Sequence, residues 1–370
     1  MHPLARIPRH HPALWGRLEV HDPSPLLEVS GATVVPSMPV HGIAQWWRRH
    51  GYGVFDSQGR HVESLSDWRG ERRICWPVAP LEAHHLECRA VLDRDTLFYG
   101  GTLYDHFGHL IMETARVYQL LRFHRQDQEK HPIWFHDATP HRGCTLKLDM
   151  VQRWFHCLGI GRRVRLVQRP IRARRLLSSP SLYQDRRWIS QDLFPACQAA
   201  LKPRLRDRLA RRPARERRLA YLSRHRLAAG SNQFDGEAAL VAQLEALPHV
   251  DVICPEELDV IEKIALYRRY DFVCGFPQSC MNLKLFTPGD HRAHQVLFIA
   301  GEKSLSSSWV NIDRATGFGD STVDCRLSEE TLIEPSGPGS PPWRPTDGAF
   351  QRVQAFDTNA VLQTIKVLTQ

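Results

Sequence analysis

The stretch Val250–Gly275 reads VDVICPEELDVIEKIALYRRYDFVCG and decides the fold class of the second half of the chain. VDVIC and DFVCG are short apolar runs typical of buried strands, and ELDVIEKIALYRRY between them is typical of a helix. Further strands are predicted in RRLAYLSR, which ends near Ser223, and in HQVLFIA at 294–300. Because strands alternate with helices at this spacing, we predict right-handed βαβ units, a parallel sheet and the α/β fold class.

The segment that leads into this stretch has a pattern of its own. After Ser223 we predict a loop that contains Gly230, Ser231 and Asn232. A helix is predicted from about Asp235 to Leu247, because its apolar residues recur at helical spacing.

The first half of the chain is less regular. VLDRDTLFYGG, from Val91, is predicted to be a strand that ends in a Gly-Gly turn. It leads into a helix with apolar residues at 107, 110, 111, 114, 117, 118 and 121, the i, i+3, i+4, i+7 pattern. HPIWFH and RVRLVQ are predicted strands on either side of a helix near 147–158. Short strand-like runs such as GYGVF occur in residues 1–90, so this half is predicted to be an α/β domain with an irregular, β-rich beginning.

These patterns predict a division of the chain into five parts. A helical, Arg-rich segment separates the halves, and EPSGPGSPPWRP has the composition of a linker. The parts are an N-terminal domain (1–194), the Arg-rich connection (195–217), a C-terminal α/β domain (218–326), the linker (327–345) and a C-terminal helix (346–370).

The composition excludes several classes of protein. The 370 residues are 42% hydrophobic and 24% charged, as in globular proteins. No apolar run approaches the ~20 residues that cross a bilayer, and the first residues lack the apolar core of a secretory signal. The nine cysteines are scattered without a CxxC pair, which indicates reduced thiols and neither a disulfide framework nor a zinc ribbon. We therefore expect a cytoplasmic protein.

The net charge of +9 is concentrated in one block. Between Arg162 and Arg226 the chain has 19 Arg and one Lys against four acidic residues, a net charge of +16, which leaves −7 for the remainder. Such a block suits phosphorylated small molecules, anionic lipid headgroups or nucleic acid, and a solvated charged face is the alternative. No RNP, zinc-finger or GXXG signature accompanies it, so nucleic acid is the least favoured partner.

Polar residues follow three of the predicted strands where each strand ends. Because the carboxyl ends of parallel strands meet at one edge of a sheet, these residues are expected to lie close together. Arginine suits phosphate oxygens, a carboxylate suits ribose hydroxyls, and a turn offers N–H groups to a diphosphate. The set predicts a nucleotide or nucleotide-sugar site, although each member alone fits a surface or turn position and neither a Walker A nor a GxGxxG motif is present. Its members are Ser223, Arg224 and Arg226 after the first strand, Glu256 after the second, and Gly275, Gln278, Ser279 and Asn282 after the third.

Four segments together resemble the landmarks of glycosyltransferase family 61. In chain order they are FYGGTLYDHFGHLIMETARVYQL, YLSRHRL, VICPEELDVIEKIALYRRYDFVCG and FPQSCMNLKLF, and the resemblance covers about residues 91–300. The family includes bacterial capsular-polysaccharide-type transferases and eukaryotic O-linked N-acetylglucosamine and xylan-decorating enzymes. The resemblance implies a GT-B architecture of two Rossmann-like domains facing a cleft, with an acceptor-side N-terminal domain and a nucleotide-sugar-binding C-terminal domain. It also implies an inverting, metal-independent transfer with no cofactor beside the nucleotide-sugar substrate.

The motifs of the family correspond to particular residues of this chain. Its Ser-Arg pair is Ser223-Arg224, and its Pro-Glu pair is Pro255-Glu256. In the glycine-rich turn the chain departs from the family pattern, because Gln278 stands where glycine is usual, Cys280 replaces alanine and Asn282 replaces histidine. A side chain at Gln278 can obstruct the approach of the backbone to a phosphate, and Asn282 can donate a hydrogen bond but cannot carry a charge.

The HFGH-x3-E motif of the family corresponds to the start of the histidine-rich helix, with His106, His109 and Glu113. On a helical wheel these three residues fall in an arc of roughly 60°, beside the apolar stripe. An inverting transfer needs a general base for the acceptor hydroxyl, and a carboxylate four positions along a helix can orient a histidine. We hypothesise that His106 or His109 is the base, that Glu113 orients it, that Asp105 is the reserve candidate, and that Arg224 stabilises the leaving diphosphate.

Two alternatives for this helix remain open. His-x2-His-x3-Glu can supply a metal ion with two imidazoles and a carboxylate, but the HExxH spacing is absent and we predict no metal. In the other alternative the histidines have no chemical role, and Asp105 caps the first turn.

The sequence therefore predicts a glycosyltransferase that moves a sugar from a nucleotide donor to a glycan or lipid-linked acceptor, as in bacterial capsule or polysaccharide biosynthesis. The Arg-rich block would bind donor phosphates or hold the enzyme at the anionic inner face of the membrane. The alternatives are a nucleotide-sugar-binding protein without turnover and a basic interaction or nucleic-acid-binding module.

Overall fold

A computed structural model describes residues 4–36, 53–69, 72–73, 91–128, 131–138, 145–211, 219–228, 230–289, 292–327, 332–333 and 350–370. The chain forms two compact units. The N-terminal unit is Arg17–Leu205, and the C-terminal unit combines Met1–Gly16 with Arg206–Gln370. The division at Leu205 falls inside the predicted Arg-rich connection. Most of the predicted linker lies outside the described residues.

The strands of the two units are short in most cases. In chain order they are β1 (Ala5–Arg6), β2 (Leu14–Trp15), β3 (Glu19–His21), β4 (Leu27–Val35), β5 (Gly53–Phe55), β6 (Trp68–Arg69), β7 (Arg72–Arg73), β8 (Leu92–Leu103), β9 (Ile133–Asp137), β10 (Val164–Leu166), β11 (Ile171–Ser178), β12 (Tyr183–Gln184), β13 (Trp188–Ser190), β14 (Leu219–Leu222), β15 (Gly230–Phe234), β16 (Val250–Ile253), β17 (Phe272–Gly275), β18 (His294–Ile299), β19 (Leu305–Ser306), β20 (Ser321–Asp324), β21 (Leu332–Ile333) and β22 (Phe350–Gln354).

The α-helices lie between these strands. They are α1 (Phe107–Glu113), α2 (Ala115–Gln128), α3 (Asp149–Leu158), α4 (Leu193–Ala200), α5 (Pro203–Ala210), α6 (Glu237–Leu244), α7 (Val260–Arg269), α8 (Ser307–Thr316) and α9 (Thr358–Leu368). Within the described ranges, no helix has both the length and the apolar content needed to span a membrane.

The C-terminal unit is built on a six-stranded sheet with the order β1-β20-β18-β17-β14-β16. All neighbours from β16 to β20 pair in parallel, and β1 pairs antiparallel at the edge. The predicted parallel sheet is thus confirmed. The chain passes from β14 to β16 on one side and then to β17 on the other side of β14. This reversal creates a topological switch point outside the carboxyl ends of β14 and β17, where open α/β sheets bind their ligands.

Local sequence explains the helices that cover this sheet. A capping box starts α7, in which the Asp259 side chain accepts from Glu262 N and the Glu262 side chain accepts from Asp259 N. The C-terminal helix α9 packs on α6 and β20, and its Val361 and Ile365 are fully buried. The predicted C-terminal helix therefore belongs to the core of this unit.

The N-terminal unit contains a second six-stranded sheet, with the order β10-β9-β8-β11-β4-β5. The strands β10, β9, β8 and β11 are parallel, whereas β4 and β5 are antiparallel. The strands predicted in HPIWFH and RVRLVQ and the helix near 147–158 are confirmed as β9, β10 and α3. The strand order reverses between β8 and β11, so α1 starts from the carboxyl end of β8 at a switch point of this sheet.

The predicted Gly-Gly turn is wrong, because β8 continues through Gly100 and Gly101 to Leu103. The pairing of β8 with β9 shifts register between Tyr99 and Gly101, as in a β-bulge, and Gly101 has a φ of +89°. A Cβ atom on Gly100 would lie 2.4 Å from Cζ of Phe135. The glycines are needed for this close packing inside the sheet, and the chain does not turn here.

The predicted helix from Phe107 is confirmed, but it is divided in two at Thr114. Thr114 has φ −74° and ψ 2°, and its hydroxyl donates to the carbonyl of Leu110 four residues earlier. A threonine hydroxyl that bonds back to the preceding turn competes with the helical hydrogen bonds and bends the chain.

The predicted loop at Gly230, Ser231 and Asn232 is also wrong, because these residues begin β15. The partner of β15 is β22, which pairs with it in parallel although the two are far apart in the chain. Gly, Ser and Asn favour turns locally. Pairing with a remote strand overrides that preference here.

Candidate functional site

The turn after β14 lies at the switch point of the C-terminal unit. Ser223 N donates to the carbonyl of Ile253 at 2.8 Å, which continues the pairing with β16 by one residue. The turn then closes with Leu227 N donating to Arg224 O at 3.0 Å. Ser223 is fully buried and His225 is half-buried. The predicted Ser223-Arg224 pair is therefore placed where an α/β sheet binds its ligand.

Glu237 organises this turn, and it is not among the site residues predicted from the sequence. Its Oε1 atom accepts from Tyr221 OH at 3.0 Å, from Ser223 Oγ at 3.2 Å and from Arg224 N at 3.1 Å. The residue is 2% exposed, and burial raises its pKa above the usual value, which the three donors oppose. A glutamate in the first turn of a helix is ordinarily a solvent-facing residue, so no pattern in the sequence marks it.

Arg224 is half-buried at this edge, and its Nε atom is fully buried. In the part of the chain that the structure describes, its Nε atom has no hydrogen-bond partner. Burial lowers the pKa of Arg224, and the nearby Cys280, Glu237 and Glu256 oppose this effect. A cation removed from water without complete hydrogen bonding is costly unless an anion compensates it.

A second cation, Lys263 of α7, belongs to the same group of side chains. Burial lowers its pKa, and its electrostatic neighbours include Cys280 and Glu256. The helix α7 packs against the 3₁₀ helix Ser279–Phe286, which carries Cys280. Burial raises the pKa of the Cys280 thiol to about 12, so Cys280 stays protonated at neutral pH and is a poor nucleophile.

Gln278 holds the ends of β14 and β17 together. Its Nε2 donates to the carbonyl of Leu222 at 2.9 Å, and the residue is 8% exposed. Gly275 passes the same carbonyl so closely that a Cβ atom there would lie 2.9 Å from it. The side chain at the position where the family has glycine is thus folded onto the end of β14.

The remaining predicted residues of this edge have fewer contacts with Arg224 and Glu237. Arg226 forms an ion pair with Glu257 at 2.8 Å, and both side chains are more than half exposed, at 57% and 56%. Glu256 is exposed and contributes to the site through its charge near Arg224. Ser279 and Asn282 are half-buried in the 3₁₀ helix, and no hydrogen bond in the described part of the chain joins either of them to Arg224.

The histidine-rich segment lies in the N-terminal unit, at the carboxyl end of β8. His106 is the N-cap of α1, with an extended backbone (φ −111°, ψ 129°) and an exposed side chain. His109 Nδ1 lies 3.5 Å from Glu113 Oε1, one helical turn along. The His109 side chain is 19% exposed and that of Glu113 is 6% exposed. The rings of His106 and His109 are 5.1 Å apart.

The predicted arc of three residues on one helix is therefore wrong for His106. Because His106 precedes the first helical residue, only His109 and Glu113 share a helical face. Asp105 precedes the N-cap and is half-buried, so it is not the capping residue of the first turn. Among the described residues, no group of three or more His, Cys, Asp or Glu side chains is arranged to hold a metal ion.

Comparison with known protein families gives a match that includes the helix α1 and the turn after β14. The model of the family described as Glycosyltransferase 61 matches residues 107–291, half of the chain. The chain belongs to glycosyltransferase family 61. The match begins at the first residue of α1 and includes the turn after β14. Membership implies glycosyltransferase activity, with a sugar donor and an acceptor. A comparison with curated proteins gave no match.

In this family 61 member, Arg116 of α2 is a buried cation that follows the histidine segment in the chain. The residue is 1% exposed and donates to the carbonyls of Ser64, Ser66 and Ser179 at 3.2, 2.8 and 3.0 Å. Its guanidinium also lies 3.6 Å from Asp67. These contacts join α2 to two loops of the N-terminal unit, so Arg116 has a structural role.

Proposed function

We propose that this family 61 glycosyltransferase is an inverting, metal-independent enzyme that transfers a sugar from a nucleotide-sugar donor to a glycan or lipid-linked acceptor. The observation that carries the proposal is the half-buried Arg224 at the switch point, whose buried Nε atom has no hydrogen-bond partner among the described residues. A diphosphate compensates such a cation through charge-assisted hydrogen bonds. We assign the binding of the donor diphosphate to this edge of the C-terminal unit.

Two protein cations support a mechanism without a metal ion. When the bond between the sugar and the diphosphate breaks, negative charge grows on the leaving oxygen. Arg224 and Lys263 together supply two positive charges within one group of partly desolvated side chains. Their combined charge is the same as that of a divalent cation, which many transferases use for this purpose.

The proposed general base is His109. In a single displacement the base accepts the proton of the acceptor hydroxyl while that oxygen attacks the anomeric carbon, which inverts the configuration. Glu113, at 3.5 Å from Nδ1, would keep the ring oriented with Nε2 as the proton acceptor. His106 and Asp105 remain second candidates because they flank the same helix start.

The proposed acceptor includes lipid-linked glycans, which would place the protein in the cytoplasm at the inner face of the membrane. The support is the Arg-rich block, whose members in the N-terminal unit include the exposed Arg162, Arg165, Arg169 and Arg172. Exposed arginines attract anionic lipid headgroups. The block is divided between the two units, and residues 212–218 of it lie outside the described residues.

A nucleotide panel tests the donor site. We expect at least one of ADP, CDP, GDP and UDP to stabilise the wild-type protein in a thermal-shift assay. Arg224→Met should weaken the binding of that nucleotide, measured by calorimetry, by about 10- to 100-fold, because a hydrogen-bonded charge is lost. Arg269→Met, at the exposed end of α7 away from the switch point, is the matched control and should bind normally. Indifference of the wild type to all four nucleotides would overturn the proposal.

A turnover assay separates the enzyme from a protein that only binds nucleotide sugars. His109→Ala should lower kcat by about 10²- to 10⁴-fold while nucleotide affinity survives, and Glu113→Gln should lower kcat by less. His106→Ala should have the smaller effect of the two histidine variants. A soluble glycan and a lipid-anchored glycan in anionic vesicles serve as parallel acceptors. Equal kcat for His109→Ala and wild type would exclude His109 as the base.

A further inference from the structure

His225 follows Arg224 in the turn after β14, and among the described residues its ring is hydrogen-bonded through Nδ1 alone. Nδ1 lies 2.7 Å from Ser223 Oγ, and the backbone N of His225 donates to the same oxygen at 3.2 Å. The ring is half-buried. In the described part of the chain, the other ring nitrogen, Nε2, takes part in no hydrogen bond.

The surrounding hydrogen bonds decide where the ring carries its proton. Glu237 Oε1 already accepts from Tyr221 OH and from Arg224 N, so it is also the acceptor in its contact with Ser223 Oγ. A serine hydroxyl has a single proton, and Ser223 therefore donates it to Glu237. Ser223 Oγ must then accept from His225, and the neutral ring carries its proton on Nδ1. Nε2 is left with a lone pair.

We infer that His225 is a ligand-binding residue in which Ser223 and Glu237 hold the Nδ1–H tautomer, so that Nε2 accepts a hydrogen bond from a hydroxyl group of the bound nucleotide sugar. The inference rests on the proposed function, because Arg224 next to it is assigned to the diphosphate. A lone pair repels a phosphate oxygen, whereas it binds a hydroxyl. The hydroxyls that flank the diphosphate belong to the ribose on one side and to the transferred sugar on the other.

The tautomer can be measured without any ligand. Nitrogen-15 NMR of His225, roughly two pH units above the usual histidine pKa of about 6.5, should show a protonated Nδ1 and an unprotonated Nε2. The signal is assigned by its loss in His225→Asn. Ser223→Ala removes the acceptor and should shift the ring toward a mixture of tautomers. A proton on Nε2 in the wild type would overturn the inference.

Binding measurements test the role of Nε2. His225→Asn keeps an amide N–H for Ser223 but has no acceptor at the Nε2 position. It should weaken binding by about two- to twelve-fold, the effect of one hydrogen bond. The matched control is His249→Asn, which removes an exposed imidazole at the amino end of β16, whereas His225 follows the carboxyl end of β14. His249 has a φ of 64°, which asparagine tolerates.

The choice of probes locates the hydroxyl. If ADP, CDP, GDP or UDP already shows the loss, the hydroxyl is on the ribose; if only a nucleotide sugar such as UDP-glucose or GDP-mannose shows it, the hydroxyl is on the sugar. Equal affinity of His225→Asn and wild type for every probe that binds would overturn the role of His225 and leave the proposed function intact. If no probe binds the wild type, both fail.

Discussion

At the scale of single residues, Glu237 shows how one buried carboxylate organises a site. One of its oxygens accepts from the hydroxyl of Tyr221, the hydroxyl of Ser223 and the backbone N–H of Arg224. These bonds offset part of the desolvation cost of the carboxylate, and they hold the turn after β14 in place. The predicted ligand-binding residues Ser223 and Arg224 are thus held by a carboxylate that no sequence pattern predicted.

The raised pKa of Glu237 predicts a pH dependence of stability. The folded state binds this proton more strongly than the unfolded state, so the stabilising effect is complete below the usual pKa of 4.5 and is lost as pH rises toward the raised value. Glu237→Gln does not titrate, and its amide oxygen can accept the same bonds. We therefore expect the free energy of unfolding of the variant, minus that of the wild type, to increase with pH above about 4.5.

Urea unfolding at a series of pH values provides this difference. Glu245→Gln, an exposed residue just after α6, is the matched control for the loss of one carboxylate. A difference between Glu237→Gln and wild type that stays constant over the whole series would contradict the prediction.

At the scale of elements, β8 shows where local patterns succeed and where they fail. Its apolar residues marked it as a strand, but Gly100 and Gly101 had the character of a turn. The aromatic ring of Phe135, on the neighbouring β9, occupies the space that a side chain at Gly100 would need. The sequence contains both residues, but only the pairing of β8 with β9 brings them together.

Substitution of Gly100 tests this packing. Gly100→Ala would place Cβ 2.4 Å from the Phe135 ring, so we expect the free energy of unfolding to fall by about 1–3 kcal/mol or more. Gly161→Ala is the control, since the nearest atom among the described residues would lie 3.8 Å from its Cβ. Chemical denaturation measures both, and Phe135→Leu in the Gly100→Ala background should recover part of the loss. A Gly100→Ala protein as stable as the Gly161→Ala protein would show that the ring is free to move.

At the scale of the whole molecule, the beginning of the chain belongs to the C-terminal unit. β1 pairs with β20, β2 pairs with β19, and Ile7 N donates to Asp320 O at 3.2 Å. His11 Nε2 also lies 3.3 Å from Asp324 Oδ2. The predicted N-terminal domain of residues 1–194 began with the first residue. The structure instead includes residues 1–16 in the unit that contains the Arg224 turn.

This assignment predicts which part of the protein a substitution at Ile7 destabilises. Ile7 is 7% exposed, so Ile7→Ala should lower the free energy of unfolding by about 2 kcal/mol or more, and faster hydrogen exchange should appear in β18 and β20. Val367→Ala, in the same unit with a side chain that is 49% exposed, should change stability by less than about 0.5 kcal/mol. Faster exchange confined to the strands of the N-terminal unit would contradict the assignment.

Local sequence patterns predicted the classes of element and the family. Apolar periodicity marked the strands β14, β16, β17 and β18 and the helices between them, because a buried face repeats at the spacing of its own secondary structure. Motif order then indicated family 61, which the match over residues 107–291 shows. These features depend on residues that are near one another in the chain.

The partners of these residues and elements became known from the three-dimensional structure. It placed Glu237 under the Ser223-Arg224 turn and joined residues 1–16 to the C-terminal unit. These hydrogen bonds and strand pairs form between residues that are remote in sequence. A local sequence pattern predicts whether a side chain is buried or polar, but it does not predict which residue that side chain contacts.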